Sequence, residues 1–179
     1  MDDDAMLGRI ARALDEVAAA RDLTWEWRRL PYGPEDLVLF HPAGIGAPRE
    51  LVAVLPIDRT LHAALVNPLA THATRRRVLH DDLFADLPEP EEERDLCRIG
   101  MIGAHVLAQS PMYATVVPPR LTIAFEPASV SVSIGGLGGF SLRVPSDLVL
   151  LLRQFRRGER YARVYNAFRR QAEAAAPGV

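Results

Sequence analysis

The sequence predicts an α+β fold: an antiparallel sheet with helices packed on one face. Three observations support this prediction. Near the N-terminus, apolar residues recur at helical spacing and then alternate with polar ones in short segments, so a helix precedes a three-strand meander. The C-terminal part repeats this change of pattern, with a hairpin followed by two helices. With 179 residues, 49% of them hydrophobic and 25% charged, the chain has the size and composition of one globular domain.

The first helix is predicted from about Ala5 to Arg21. The aspartates that precede it suit the positive end of a helix dipole. Spacings of three and four residues place four apolar side chains on one face: Leu7, Ile10, Leu14 and Val17.

Three predicted strands follow this helix. Leu23–Leu30 alternates between apolar and polar residues, Leu37–His41 is the second strand, and Leu51–Ile57 is apolar enough to be central. Proline and glycine mark both connections, at residues 31–34 and in the loop 41–48. A helix followed by a meander is therefore the expected start of the fold.

The middle of the chain is predicted to be helical. One helix begins near Thr60, with Asp58 or Thr60 as its cap, and Pro68 separates it from a second helix over Ala70–Leu83. The second helix is expected to hold its three consecutive arginines, Arg75–Arg77, on a solvated side.

An acidic loop punctuated by proline, LPEPEEE over residues 87–93, follows these helices. It marks a seam within what we predict to be a single domain spanning residues 1–179. A further helix is predicted over Arg94–Gln109, and its apolar face is formed by Leu96, Ile99, Ile102 or Gly103, and Val106.

The β pattern then returns. Four strands are predicted, over Tyr113–Val117, Leu121–Phe125, Val130–Ile134 and Phe140–Val144. A glycine loop joins the last two as a hairpin: Gly135, Gly136, Leu137, Gly138 and Gly139. A P-loop would need a Gly-Lys-Ser/Thr ending and a helix after it, and this segment has neither. We therefore interpret it as a flexible hairpin tip that could bind a partner.

Two apolar helical faces end the chain. One lies within Leu148–Phe155, and the second is rotated from it by about 140° in a straight helix. The second face is formed by Tyr161, Val164, Tyr165 and Phe168. We predict a break at Gly158, where the first helix would end. The tail over residues 172–179 is expected to be frayed.

Charge and composition exclude several classes of protein. The net charge of −2 provides no global basic field for nucleic acid, and the acidic start, Met1–Asp4, is unlike a signal peptide. The uncharged stretch Ile99–Pro119 contains too many polar and proline residues for a membrane-spanning helix. We therefore expect a soluble cytoplasmic protein with no membrane contact. Because Cys97 is the only cysteine, no intrachain disulfide can form.

The strongest charge feature is arginine-rich and C-terminal. Residues 145–179 hold seven arginines against three acidic residues, a net of +4, whereas the remainder of the chain has a net of −6. Arginines interleaved with aromatics can contact phosphates and stack on bases. The alternative is that the aromatics belong to the core and the arginines form a solvated face or pair with acids of another subunit. The candidate contact residues are Arg153, Arg156, Arg157, Arg160 and Arg163.

No catalytic, cofactor or metal site is predicted. The five histidines and Cys97 are too scattered for metal ligation, and Cys97 and His105 lie more than two turns apart on one helix. We interpret Cys97 as a small buried hydrophobe. His80, Asp81 and Asp82 are interpreted as a solvated helix end.

These observations favour a non-enzymatic binding or assembly protein, adaptor- or chaperone-like or a subunit of a larger complex, that acts through protein contacts. The mean hydropathy of +0.01 and the opposite charges of body and C-terminus favour a homo-oligomer or a protein partner. The order of elements is loosely similar to that of small bacterial secretion-chaperone and adaptor folds. One alternative is a nucleic-acid binder using the C-terminal arginines. Another is an enzyme whose site gathers Cys97 or a histidine with carboxylates only in the folded chain.

Overall fold

The computed structural model describes residues 3–29, 35–86, 92–110, 120–126, 129–135, 140–145 and 154–175. The helices and strands in these segments confirm the α+β class. In chain order they are α1 (Asp3–Ala19), β1 (Leu23–Arg28), β2 (Asp36–Pro42), β3 (Ala53–Ile57), α2 (Arg59–Val66), α3 (His72–Phe84), α4 (Glu92–Gln109), β4 (Arg120–Glu126), β5 (Ser129–Gly135), β6 (Phe140–Pro145) and α5 (Arg157–Ala175). Within these segments, no helix is long and apolar enough to cross a membrane.

The described strands form two antiparallel sheets instead of the one predicted. One has the order β1-β2-β3 and the other β4-β5-β6, so each is a meander of strands that are neighbours in sequence. The chain also divides into two compact units: Met1–Asp86 with Arg156–Ala162, and Leu87–Phe155 with Arg163–Val179. The boundary after Asp86 falls at the start of the predicted acidic seam. That the whole chain is a single domain remains a prediction.

The first unit has a core built from α1, the first sheet, α2 and α3. Trp25 pairs with Phe40 and Val38 with Leu55 across the three strands. The face of α1 predicted to be apolar is buried from Ile10 onward, whereas Leu7, one turn from the helix start, is 48% exposed. The core cluster comprises Ile10, Ala13, Leu14, Val17, Ala18, Leu23, Val38, Phe40, Ala53, Leu55, Ile57, Leu61, Leu65, Leu79, Leu83 and Phe84.

The connection between α2 and α3 contains a buried arginine. Asp58 caps α2 as predicted, because its carboxylate accepts a hydrogen bond from the Leu61 N–H at 2.7 Å. Arg75 was expected to be solvated, but it is only 4% exposed. Its guanidinium donates to the carbonyl oxygens of Leu65 and Asn67, both at 2.7 Å. A helix end leaves carbonyls without intrahelical partners, and Arg75 satisfies two of them at the end of α2.

The second unit packs α4 against the second sheet. Val130 and Val132 of β5 are buried, and Ile102 and Gly103 of α4 are buried with them. A Cβ on Gly103 would lie 2.6 Å from Val132 Cγ2 and 3.1 Å from the Phe168 ring, so only glycine allows this approach. The apolar face predicted for α4 is therefore confirmed where it meets the sheet.

The edge strand β6 is covered by a side chain of α5. Gln171 Nε2 donates to the Arg143 carbonyl at 2.8 Å, and the Arg143 N–H donates to Gln171 Oε1 at 3.0 Å. One amide thereby satisfies both main-chain groups that Arg143 turns away from β5. This contact blocks edge pairing at that position.

The last helix differs from its prediction at both ends. Its apolar face, Tyr161, Val164, Tyr165 and Phe168, is buried as expected. Gly158, however, lies in the first turn of α5, where a Cβ would meet the Leu83 carbonyl oxygen at 2.7 Å. The predicted frayed tail is wrong as far as Ala175, because the helix continues to that residue and Ala172 is buried. The predicted strand over 113–117 and the helical face over 148–152 lie outside the described residues.

Candidate functional site

A groove between α1 and α3 is the candidate functional site. It has a volume of about 900 Å³ and belongs wholly to the first unit. Nine of the described residues line it: Glu16, Val17, Ala20, Arg21, Ala73, Thr74, Arg76, Arg77 and His80. Its floor has small apolar side chains, and its charged groups are three arginines against one glutamate.

The turn that ends α1 positions Arg21 at the groove. After Ala19 the chain is held by hydrogen bonds from the Arg21 N–H to the Ala18 carbonyl at 3.0 Å and from the Asp22 N–H to the Ala19 carbonyl at 3.3 Å. Asp22 adopts φ 55°, the left-handed conformation that often closes a helix and that aspartate tolerates better than most residues. The tight turn therefore keeps Arg21 next to the last turn of α1.

Helical spacing places the α3 residues on the same groove. Ala73, Arg76, Arg77 and His80 stand at positions i, i+3, i+4 and i+7, which share one face. Thr71 fixes the start of this helix by accepting a hydrogen bond from the Thr74 N–H at 3.1 Å. Arg76 and Arg77 are exposed, as predicted, so their guanidinium groups are accessible to a ligand.

Glu16 joins the two helices at one end of the groove. Its carboxylate lies 2.7 Å from His72 Nε2 and accepts a hydrogen bond from Arg76 Nη1 at 3.0 Å. The hydrogen bond with His72, aided by the positive charges of His72 and Arg76, lowers the pKa of Glu16 below its ordinary value. Arg76 is therefore partly neutralised by the protein itself.

At the other end of the groove, called here the Phe84 end, the lining residues Arg21 and His80 both contact the Phe84 ring. The Arg21 guanidinium carbon lies 3.5 Å from the centre of the Phe84 ring, and the His80 ring centre lies 5.5 Å from it at a tilt of 56°. Stacking uses the face of the guanidinium and leaves its N–H edge available for hydrogen bonds. Among the described residues, neither Arg21 nor Arg77 forms a side-chain hydrogen bond or an ion pair.

The groove is locally positive on a unit that is negative as a whole. The first unit carries thirteen arginines against fifteen acidic residues, a net of −2. The groove itself has Arg21, Arg76 and Arg77 against Glu16, a net of +2 with His80 neutral. The arrangement suits a compact anionic ligand better than a long polyanion, which would also meet the surrounding acidic surface.

The C-terminal arginines predicted to contact a ligand are mostly used by the chain itself. Arg156 Nε lies 3.4 Å from Asp86, and Arg157 Nη1 donates to Asp82 at 2.5 Å. Arg160 is only 2% exposed and so is not accessible at the surface.

Arg163 is exposed and stacks over the Phe155 ring at 3.7 Å, whereas Arg153 lies outside the described residues. Of the predicted glycine loop, Gly135 ends β5, and Gly136, Leu137, Gly138 and Gly139 also lie outside them. Whether any of these residues contacts a partner remains a prediction.

The histidines and the cysteine are placed apart. Cys97 is exposed, which corrects the prediction of a buried hydrophobe, because it shares a face of α4 with the exposed Arg94 and the half-buried Met101. Within the described part of the chain, no group of three metal-binding side chains comes together. The contact of His72 with Glu16 does bring a histidine to a carboxylate beside the groove. Among the same residues, no hydroxyl or thiol hydrogen-bonds the imidazole, so a nucleophile for the enzyme alternative is not identified there.

Sequence reasoning missed the groove because its residues come from helices about sixty positions apart. The available signal was the spacing of Ala73, Arg76, Arg77 and His80 on one face. Comparison with protein-family models, with curated proteins and with solved structures found no match to this chain.

Proposed function

We propose that this chain is a non-enzymatic binding protein whose α1–α3 groove holds an acidic segment of a partner protein. The proposal depends mainly on one feature of the groove: Arg21 and Arg77 have unused hydrogen-bond donors beside small apolar side chains. An arginine donates up to five hydrogen bonds and matches carboxylates in a bidentate geometry. The partner segment should therefore carry aspartate or glutamate beside small apolar residues.

The floor of the groove favours a peptide over a nucleic acid. Val17, Ala20 and Ala73 line it, and none of these can stack on a base. Strong binding of nucleic acid requires several phosphates to be neutralised along a track of cations. The groove has only two arginines without an internal acid partner. A volume of about 900 Å³ instead accommodates several side chains of a short peptide segment.

The nucleic-acid alternative through the C-terminal arginines rests on fewer side chains than the sequence suggested. Arg156 and Arg157 would first have to leave Asp86 and Asp82. Arg160 would have to leave the interior. We therefore keep partner binding as the leading proposal.

Peptide binding with groove-filling variants tests this proposal. The probe is a short fluorescein-labelled peptide of repeated Glu-Ala-Leu-Asp, and its control is the uncharged repeat Gln-Ala-Leu-Asn; fluorescence anisotropy at low salt gives both affinities. We expect the acidic peptide to bind at least ~10-fold more tightly, a difference that salt reduces. Ala20→Trp or Ala73→Trp should fill the groove and abolish binding, because both side chains are exposed there.

Two matched controls separate the groove from general effects. Ala63→Trp adds the same bulk at an exposed position of α2 outside the groove and should leave the affinity unchanged. Arg77→Glu should weaken binding, whereas Arg59→Glu makes the same charge change at an exposed position of α2 outside the groove and should not. If the acidic and uncharged peptides bind alike, or if Ala20→Trp has no effect, the proposal is wrong. Light scattering on the isolated chain shows whether the partner is a second copy.

A further inference from the structure

We infer that the Phe84 end of the groove is a subsite for one oxyanion, a carboxylate or a phosphate group, held beside His80 by Arg21 and Arg77. This inference rests on the proposed function and assigns the two ends of the groove different roles. At the Glu16 end the positive charges already have an internal anion, whereas the Phe84 end has none among the groove-lining residues.

The stacking of Arg21 on Phe84 prepares this subsite. Phe84 is buried and belongs to the core cluster, so its ring is a fixed platform. The guanidinium above it at 3.5 Å loses less conformational freedom on binding than a free arginine would. The N–H groups along its edge are the donors that a planar or tetrahedral oxyanion accepts.

His80 and Arg77 complete the arrangement from α3. His80 stands one turn after Arg77 and one turn before Phe84, so the three residues span about 10 Å along one helix face. The His80 ring contacts Phe84, and both His80 and Arg77 line the groove. An oxyanion next to His80 is therefore flanked by Arg21 from α1 and Arg77 from α3.

The carboxylate that contacts His80 belongs to a residue outside the groove lining. Asp81 Oδ1 lies 3.6 Å from His80 Nδ1 and is largely exposed, but Asp81 does not line the groove. Glu16, the groove's own carboxylate, contacts His72 and Arg76. The donors of Arg21 and Arg77 are thus available to an anion that the partner brings.

A peptide series with a single anionic group tests the inference. The uncharged Gln-Ala-Leu-Asn peptide is compared with versions carrying one central glutamate or one central phosphoserine. We expect one or both anionic peptides to bind at least ~10-fold more tightly than the uncharged peptide, and the double variant Arg21→Gln/Arg77→Gln to lose this gain. Arg49→Gln/Arg59→Gln removes two exposed arginines outside the groove and should retain it.

The possible outcomes distinguish a carboxylate from a phosphate ligand, and failure of the subsite from failure of the proposed function. A phosphoserine peptide that binds ~10-fold more tightly than the glutamate peptide assigns the subsite to phosphate, tighter binding of the glutamate peptide assigns it to a carboxylate, and equal affinities show that it accepts either oxyanion. If the single anionic group gives no gain, or if the Arg21→Gln/Arg77→Gln protein keeps the gain, the subsite is refuted. In that case the proposed function still stands as long as Ala20→Trp blocks the fully acidic peptide. If Ala20→Trp has no effect on that peptide, the proposed function itself fails.

Discussion

The three consecutive arginines of α3 have three different environments. Arg75 is buried and bonded to main-chain carbonyls, Arg76 pairs with Glu16, and Arg77 is exposed with no side-chain hydrogen bond or ion pair among the described residues. The helix rotates each successive side chain by about 100°, so neighbours in sequence meet different surroundings. One segment thereby supplies a structural cation, an ion-paired cation and an available cation.

The arginines around the start of α5 are used more uniformly. Arg156 and Arg157 contact Asp86 and Asp82, and Arg160 is buried. Although these three arginines also lie close together in sequence, each is bonded to an aspartate or buried, so none is available in the way that Arg77 is. The comparison teaches that the acceptors around an arginine, and not the number of arginines nearby, determine whether it can bind a ligand.

The largest expected effect is on the free energy of unfolding, and it should follow replacement of Arg75 but not of Arg77. Arg75→Met keeps the aliphatic part of the side chain but removes the donor of the buried bond to the Leu65 carbonyl and one of the two donors to the Asn67 carbonyl, which keeps the Ala70 N–H. We expect a loss of about 2–4 kcal/mol in the free energy of unfolding, because charged hydrogen bonds to partly buried acceptors are lost. Urea denaturation followed by circular dichroism measures this value.

Arg77→Met is the matched control two residues further along the same helix. Since Arg77 is exposed, its replacement should change the free energy of unfolding by no more than about 0.5 kcal/mol. The same replacement should nevertheless lower the affinity of the protein for the acidic peptide. Equal destabilisation by both variants would remove the distinction between the buried and the available arginine.

Much of the fold could be predicted from the sequence because the spacing of apolar residues follows the buried face of each helix or strand. The first meander and the apolar face of α5, from Tyr161 to Phe168, were recognised in this way. The contacts of a charged side chain, in contrast, cannot be predicted from its charge. Helical spacing places Arg75 on the same face as the buried Leu79 and Leu83, but its acceptors, the carbonyls at the end of α2, could not be predicted from that spacing.

The groove could not be predicted for a related reason. It depends on how α1 and α3 pack, and the contact of Arg21 with Phe84 joins residues more than sixty positions apart. The exposure of Cys97 was likewise invisible, because a cysteine suits either face of an amphipathic helix. Helical spacing could have grouped Arg76, Arg77 and His80, but it could not identify the helix facing them.

An intermediate effect is expected for the ion pairs of α5. A double-mutant cycle with Arg157→Ala and Asp82→Ala should give a coupling free energy of about 0.5–1.5 kcal/mol, because both side chains are more than two-thirds buried at a 2.5 Å contact. The cycle of Arg156→Ala with Asp86→Ala is the control. That pair is longer, at 3.4 Å, and exposed, so its coupling should be at most about 0.3 kcal/mol. Similar couplings in the two cycles would contradict the comparison.

The smallest expected effect is the pH dependence of the Glu16 contacts. The pKa of Glu16 is lowered in the folded protein, so its contribution to stability is present above the ordinary value of 4.5 and is lost as pH falls through the folded value. Glu16→Gln should therefore destabilise the protein slightly near neutral pH and not at all in strong acid. Since the hydrogen bond with His72 is the largest cause, His72→Gln should raise the pKa of Glu16 towards its ordinary value, with Arg76 retaining part of the shift. An NMR titration of the Glu16 carboxyl carbon measures both, and an unchanged pKa in His72→Gln would assign the shift to Arg76 instead.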